Sequence, residues 1–210
     1  MTRLHVIRHG ETVGGLNLNV VGGRHLHDQL TKRGRRQAHD RGLWITENKI
    51  GVDFAIASHA DRAQQTGTIA LLSANLPLQL ETNEQLVEMS QGIYEGKSRD
   101  LAYSPTNLDE ISRLGLDFKF PGGESMREVG ERMLEAFRRI ALEHPDQVGL
   151  VFSHSTAIRC AAGLLLGMSN YEIFNTPCDH LSLTTFEVEG GKVSVGEIGR
   201  RLPTEPGTLV

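Results

Sequence analysis

Leu4-His5-Val6-Ile7-Arg8-His9-Gly10-Glu11-Thr12 is a short apolar run that breaks on an arginine and a histidine. Four apolar-rich residues predict a strand over Leu4–Ile7, so His9 falls at a strand's carboxyl end, where open α/β sheets build ligand sites. An imidazole there is a potential nucleophile. The adjacent guanidinium can clamp a phosphate through charge-assisted hydrogen bonds. Gly10 lets the backbone turn sharply and approach a bound group. An isolated Arg-His pair is a weak motif, so the rest of the chain has to support it.

Further strands are expected at Asp53–Ser58 and Gly149–Ser153, whose centres, Phe54-Ala55-Ile56-Ala57 and Leu150-Val151-Phe152, are apolar as buried parallel strands are. A weaker one is expected at Leu78–Glu81. Leu181–Val188 and Val193–Ile198 flank Gly190-Gly191 and read as a hairpin. Helical periodicity predicts helices over Thr31–Glu47, Ala60–Leu72, Ser125–Glu143 and Thr156–Leu166. Ser125 and Glu128 form a capping box for the third. This alternation predicts an α/β fold, a three-layer α/β/α sandwich on a mostly parallel sheet with an antiparallel edge strand. One domain is expected over 1–199, with an inserted loop or lid about 89–124 that holds a weak helix around Leu108–Gly115. Residues 200–210 read as a flexible tail.

The 210 residues are 39% hydrophobic and 23% charged, with a formal net charge of -4, and the sequence pI is about 6.1. This balance fits a globular protein and gives no basic excess for nucleic acid. No run is long enough to span a membrane and no signal-peptide core follows Arg3. Cys160 and Cys178 lack metal or redox spacing and read as reduced thiols, which favours a cytoplasmic location. His25, His27 and Asp28 offer metal-type side chains without a clear third and fourth partner, so no metal is expected.

Two central strands end alike, in Ser58-His59 and Ser153-His154, each followed by a helix and an arginine, Arg62 or Arg159. Parallel strands deliver their carboxyl ends to one edge. His9, His59 and His154 are therefore expected near a common crevice with Arg8 and Arg62, beside helix N-termini that favour anions. By local sequence His59 and His154 are rivals for the second histidine.

At this point the chain resembles the histidine phosphatase superfamily, the phosphoglycerate-mutase-like fold, on its phosphatase branch. The resemblance rests on Arg8-His9-Gly10-Glu11-Thr12, then Leu30-Thr31 with Gly34 and Gln37-Ala38, Ser58 with Arg62-Ala63 and Gln65-Thr66, and Leu86 with Glu88, Gly92 and Glu95-Gly96. It continues through Pro121-Gly122-Gly123-Glu124-Ser125 and Ser153-His154. These matches cover roughly residues 4–160 in order. The resemblance implies that His9 becomes phosphohistidine, that Arg8, Arg62 and His154 hold the phosphoryl oxygens, and that Glu88 is the proton donor. It places the fixed histidine at His154 and implies no cofactor. It departs from the family at Gly15, where an asparagine is common; Asn17 is a candidate replacement.

The expected partner is a small-molecule phosphate monoester. Gly22, Arg24, His25, Tyr94, Arg99 and Ser155 are candidate substrate contacts with Asn17, and the arginines would suit a second anionic group. The short run Glu88–Gly96 resembles phosphatases. A cofactor-dependent phosphoglycerate mutase and an inactive phosphate-binding scaffold are the alternatives. The hairpin edge would allow a homodimer.

Overall fold

The computed structural model describes residues 1–202. Its centre is a six-stranded sheet of β1 (Thr2–Arg8), β2 (Phe54–Ser58), β3 (Leu80–Asn83), β4 (Val148–Ser153), β5 (Leu183–Glu189) and β6 (Lys192–Val195), in the order β3-β2-β4-β1-β5-β6. The first four strands in that order are parallel; β5 runs antiparallel to β1 and β6 antiparallel to β5. Helices α1 (Lys32–Glu47) and α2 (Asp61–Ser73) pack against each other, as do α5 (Met126–Glu143) and α6 (Ser155–Leu166). Burial assigns them to opposite faces. Ile7, Ala55, Leu150 and Phe152 join Trp44 and Leu71 in one core, while Leu4, Val6, Ile56 and Val151 join Met133 and Phe137 in the other. The sandwich and its mostly parallel sheet agree with the sequence reading.

The boundaries show where local pattern yields to pairing. β3 starts at Leu80 rather than Leu78, because its neighbour β2 pairs only from Ala55↔Leu80 to Ser58↔Asn83. Gly190 and Gly191, both at positive φ, make the two-residue turn that closes the hairpin. β6 ends at Val195 because Gly196 and Glu197 both bond to Thr185, two residues against one, and this bulge ends the regular ladder. β5 begins at Leu183 because Leu181 sits at φ 57 and breaks the strand. Among the described residues no helix is long and apolar enough to cross a membrane.

The stretch expected as a loop carries α3 (Arg99–Ala102) and α4 (Pro105–Leu114). Pro105 is the first residue of α4, a place where its missing N–H costs nothing. This segment is tied to the loop after β1 through Val21 N to Lys97 O at 2.8 Å and Arg99 N to Asn19 O at 2.8 Å. Val21, Ala102 and Phe120 form a small core of their own. A further short helix, α7 (Asn170–Asn175), begins on a Ser169–Glu172 capping box.

The expected tail is corrected at its start. Arg200 exchanges backbone hydrogen bonds with Leu183, and its guanidinium lies 4.8 Å from the centre of the Trp44 ring. Arg41, fully buried, covers the same ring at 4.7 Å and donates to the carbonyls of Leu181 and Arg200. Residues 200–202 are therefore part of the fold; 203–210 lie outside the described residues.

Candidate active site

Register brings the carboxyl ends of β1 and β4 together, Arg8 opposite Ser153, and the His9 N–H donates to Ser153 O at 3.0 Å. The turn after His9 is held by polar residues from α1 and α2. Gln37 accepts from Glu11 N at 2.9 Å, Thr66 from Gly10 N at 3.1 Å and Gln65 from Leu30 N at 3.0 Å. Thr31 donates to the Glu11 carboxylate at 2.7 Å and caps α1 through Gly34 N. Gly10 is not at positive φ. A Cβ there would lie 2.6 Å from Gly34 O, and one on Gly34 would lie 2.1 Å from Glu11 O. The glycine therefore serves the approach of α1 rather than the sharp turn expected from the sequence.

His9 is 8% exposed and its Nδ1 lies 2.7 Å from Gly10 O. That carbonyl can only accept, so Nδ1 carries the proton and Nε2 keeps its lone pair. Arg62 Nε donates to His9 Nε2 and to His154 Nδ1, each at 3.2 Å. His154 in turn places its Nε2 proton on Ser58 Oγ at 2.9 Å. Both imidazoles are neutral. Burial holds their pKa values well below the ordinary histidine value, with Arg62 adding to it. His154 is fully buried beside His9, their ring centres 5.1 Å apart, and does not line the cavity.

Arg62 is fixed by main chain. Its terminal nitrogens donate to Arg24 O at 3.1 Å, His25 O at 2.7 Å and Gly23 O at 3.2 Å. Arg8 donates to Cys178 O at 2.7 Å and to His180 Nε2 at 3.0 Å, while its Nε is buried with no partner. His180 was absent from the sequence reading. Burial, with Arg8 next in weight, pushes its pKa down to about 4, so it stays neutral and accepts. The signal for it was the predicted hairpin: an antiparallel strand beside β1 must begin where β1 ends.

Glu88 follows Leu86, whose carbonyl accepts from Ser153 Oγ at 2.7 Å. Its carboxylate sits on the first turn of α6, accepting from Thr156 N at 3.1 Å and Ala157 N at 3.0 Å, and from Met89 N at 2.8 Å. Arg8, His9, Arg62 and Glu88 line one cavity of about 1190 Å³. Asn17, Gly22, His25 and Arg99 line it too; Arg24, Tyr94 and Ser155 do not. Arg24 turns to Glu124 at 3.1 Å. Tyr94 packs on Phe120 at 4.5 Å between ring centres, and at the start of α6 it is Thr156, not Ser155, that reaches the cavity. The Gly14-Gly15 pair is tied down: Gly14 N donates to the Asp28 carboxylate at 2.9 Å and Gly15 N to Thr12 Oγ1 at 3.1 Å. His59 lies off the cavity and His27 faces Asp61 at 3.5 Å.

Residues 4–200 match the family described as the histidine phosphatase superfamily (branch 1). The chain belongs to that superfamily. Among relatives of the chain, a probable phosphoglycerate mutase GpmB from Cronobacter sakazakii is 29% identical over 176 residues, 81% of this chain and 78% of the relative. A 2,3-bisphosphoglycerate-dependent phosphoglycerate mutase from a Chelativorans species is 30% identical over 176 residues, 81% of this chain and 84% of its own. Among solved structures, Bacillus stearothermophilus YhfR superposes with a TM-score of 0.82 at 24% identity, covering 96% of this chain and 98% of that one. A phosphoserine phosphatase variant from Entamoeba histolytica in complex with phosphoserine gives 0.80 at 21% identity, covering 95% and 97%. These likenesses establish the fold.

Proposed function

We propose that this protein hydrolyses small-molecule phosphate monoesters through a phosphohistidine on His9. The observation that carries the reading is the fixed tautomer of His9, its Nδ1 proton held by Gly10 O and its Nε2 lone pair kept free of a proton beside Arg62. A phosphoryl group entering the cavity takes over the Arg62 Nε–H from His9 and meets the positive charge of Arg8, which lines the same cavity. His9 Nε2 then attacks phosphorus, the P–O ester bond breaks, and Glu88 gives its proton to the leaving oxygen. Water next attacks the phosphohistidine and returns a proton to Glu88. The N–P bond breaks, leaving inorganic phosphate and neutral His9. His154 acts by holding Arg62, since its own nitrogens are committed to Arg62 and Ser58.

Mutases share this chemistry and deliver a second substrate hydroxyl in place of water. Their bisphosphorylated intermediates need a second cationic cradle. Here Arg24 faces Glu124, which also binds Arg132 at 2.9 Å, and this supports water as the acceptor. The test is hydrolysis of p-nitrophenyl phosphate without added metal. His9→Ala should abolish it. Activity that survives this change, or that demands a divalent ion, would sink the mechanism. Phosphate exchange between phosphoglycerates, primed by a bisphosphorylated compound, would establish the mutase instead.

A further inference from the structure

The cavity is far larger than a phosphoryl group requires. Its roughly 1190 Å³ exceeds the roughly 300–1,000 Å³ typical of drug-sized ligand sites. Its lining has two characters. Arg8, His9, Arg62 and Glu88 are polar and charged. Val20, Ile111, Phe118, Phe120 and Met126 add a broad apolar wall. Two short helices border it, and each contributes an apolar pair at i, i+3 spacing, which places both members on one helix face. In α4 the pair is Leu108 and Ile111; in α7 it is Tyr171 and Phe174. Tyr171 is 75% and Phe174 54% exposed, although both line the cavity, and α4 has no buried residue. Contiguous exposed apolar surface of this kind marks a binding groove. This one shares its cavity with Arg8 and Arg62, which fixes what enters it.

A second anion finds little there. Among the described residues lining the cavity, Arg99 is the single arginine or lysine beyond Arg8 and Arg62. Its guanidinium lies over the Tyr103 ring, 5.2 Å from the centroid, and the cavity also contains the Asp28 carboxylate.

We infer that the site selects phosphate monoesters of large, uncharged, predominantly apolar alcohols. The phosphate seats on Arg8 and Arg62, and the carbon skeleton lies along Ile111, Phe118 and Phe120. For turnover this rests on the phosphatase reading above; for binding it does not. It replaces the expectation that arginines at this rim receive a second anionic group.

The n-alkyl phosphates from ethyl to decyl provide the test, because they share nearly the same leaving-group basicity and differ mainly in apolar length. Below their micelle concentrations, kcat/KM should climb with each methylene until the cavity is filled. The ceiling is about fourfold per step, set by hydrophobic transfer. Non-hydrolysable n-alkylphosphonates, titrated by calorimetry, should tighten in parallel. Replacing the exposed pair by L108S and F174S should cut the decyl-to-ethyl ratio at least tenfold. A flat series, or better turnover of 3-phosphoglycerate and phosphoserine than of decyl phosphate, overturns the inference. So does a dimer in sedimentation that F174S dissolves, because the patch would then serve a second copy of this chain. If no ester is hydrolysed while phosphonate affinity still climbs with length, the hydrolytic reading fails and the binding inference stands.

Discussion

His9 is kept unprotonated by its surroundings more than by its own basicity. Burial, Arg62 and Arg8 all lower its pKa. A lowered pKa means that the neutral form survives acidification, so the hydrolysis proposed for His9 should persist well below pH 6.5, where an ordinary histidine would be protonated. A pH profile of kcat/KM whose acid limb began at 6.5 would contradict this. His180 carries a second prediction at this scale. It accepts from Arg8, and removing a hydrogen bond to a charged group costs about 1.5–3 kcal/mol. His180→Ala should therefore lower kcat/KM roughly ten- to a hundredfold, mainly through KM, as steady-state kinetics would show. Arg8, His9, Arg62, Glu88 and His154 were legible because strand ends and an ordered motif set mark them. His180 was not, because it precedes an antiparallel strand and so falls outside any search for residues that follow strands. The candidate substrate contacts were legible only as a neighbourhood. Residues 23–25 do their visible work through carbonyls on Arg62, and main-chain acceptors leave no mark in residue type.

The elements around the site are fitted by close approach. α1 reaches the turn after β1 only because Gly34 presents no Cβ to Glu11 O. Gly34→Ala must displace backbone from backbone, an overpacking cost of roughly 1–3 kcal/mol. Urea denaturation should show that loss, and activity should fall with it because the same turn carries His9. At the start of α5, Ser125 accepts from Glu128 N at 3.1 Å and Glu128 from Ser125 N at 2.8 Å. Ser125→Ala should cost about 1 kcal/mol with little effect on turnover, measured by the same two assays. The long helices and central strands were readable from periodicity. α4 and α7 were less so. Pro105 reads as a breaker unless its first-turn position is recognised, and the Ser169–Glu172 box precedes a helix of only six residues.

For the molecule as a whole, the buried histidines set a direction for pH dependence. His9, His154, His180 and His5 all have folded-state pKa values below the ordinary histidine value of about 6.5. As pH falls through 6.5 the unfolded chain takes up protons that the folded one refuses, so stability falls from there downward. For His180 the window runs from 6.5 to about 4, worth up to about 3 kcal/mol at 1.36 kcal/mol per unit. The melting temperature should decline steadily over this range, and vanadate or phosphate bound at Arg8 and Arg62 should offset part of the decline. A melting temperature flat from pH 7 to 4.5 would refute the assignment. The large cavity is also a property of the whole molecule. Its wall comes from the segment after β1, from α4 through Met126, and from α7, regions that no local pattern links, which is why composition and spacing did not reveal its apolar character.

Trp44 is the single tryptophan of the chain, and it is buried between two arginines, one from its own helix and one from the last described turn of backbone. The protein thus carries one tryptophan fluorophore, stacked where residues 200–202 dock behind Leu181 and hence behind Arg8. Emission from that ring shifts to the red when water replaces Arg200. Without any label, tryptophan emission therefore reports whether residues 200–202 are seated on β5, the strand beside the one that ends in Arg8.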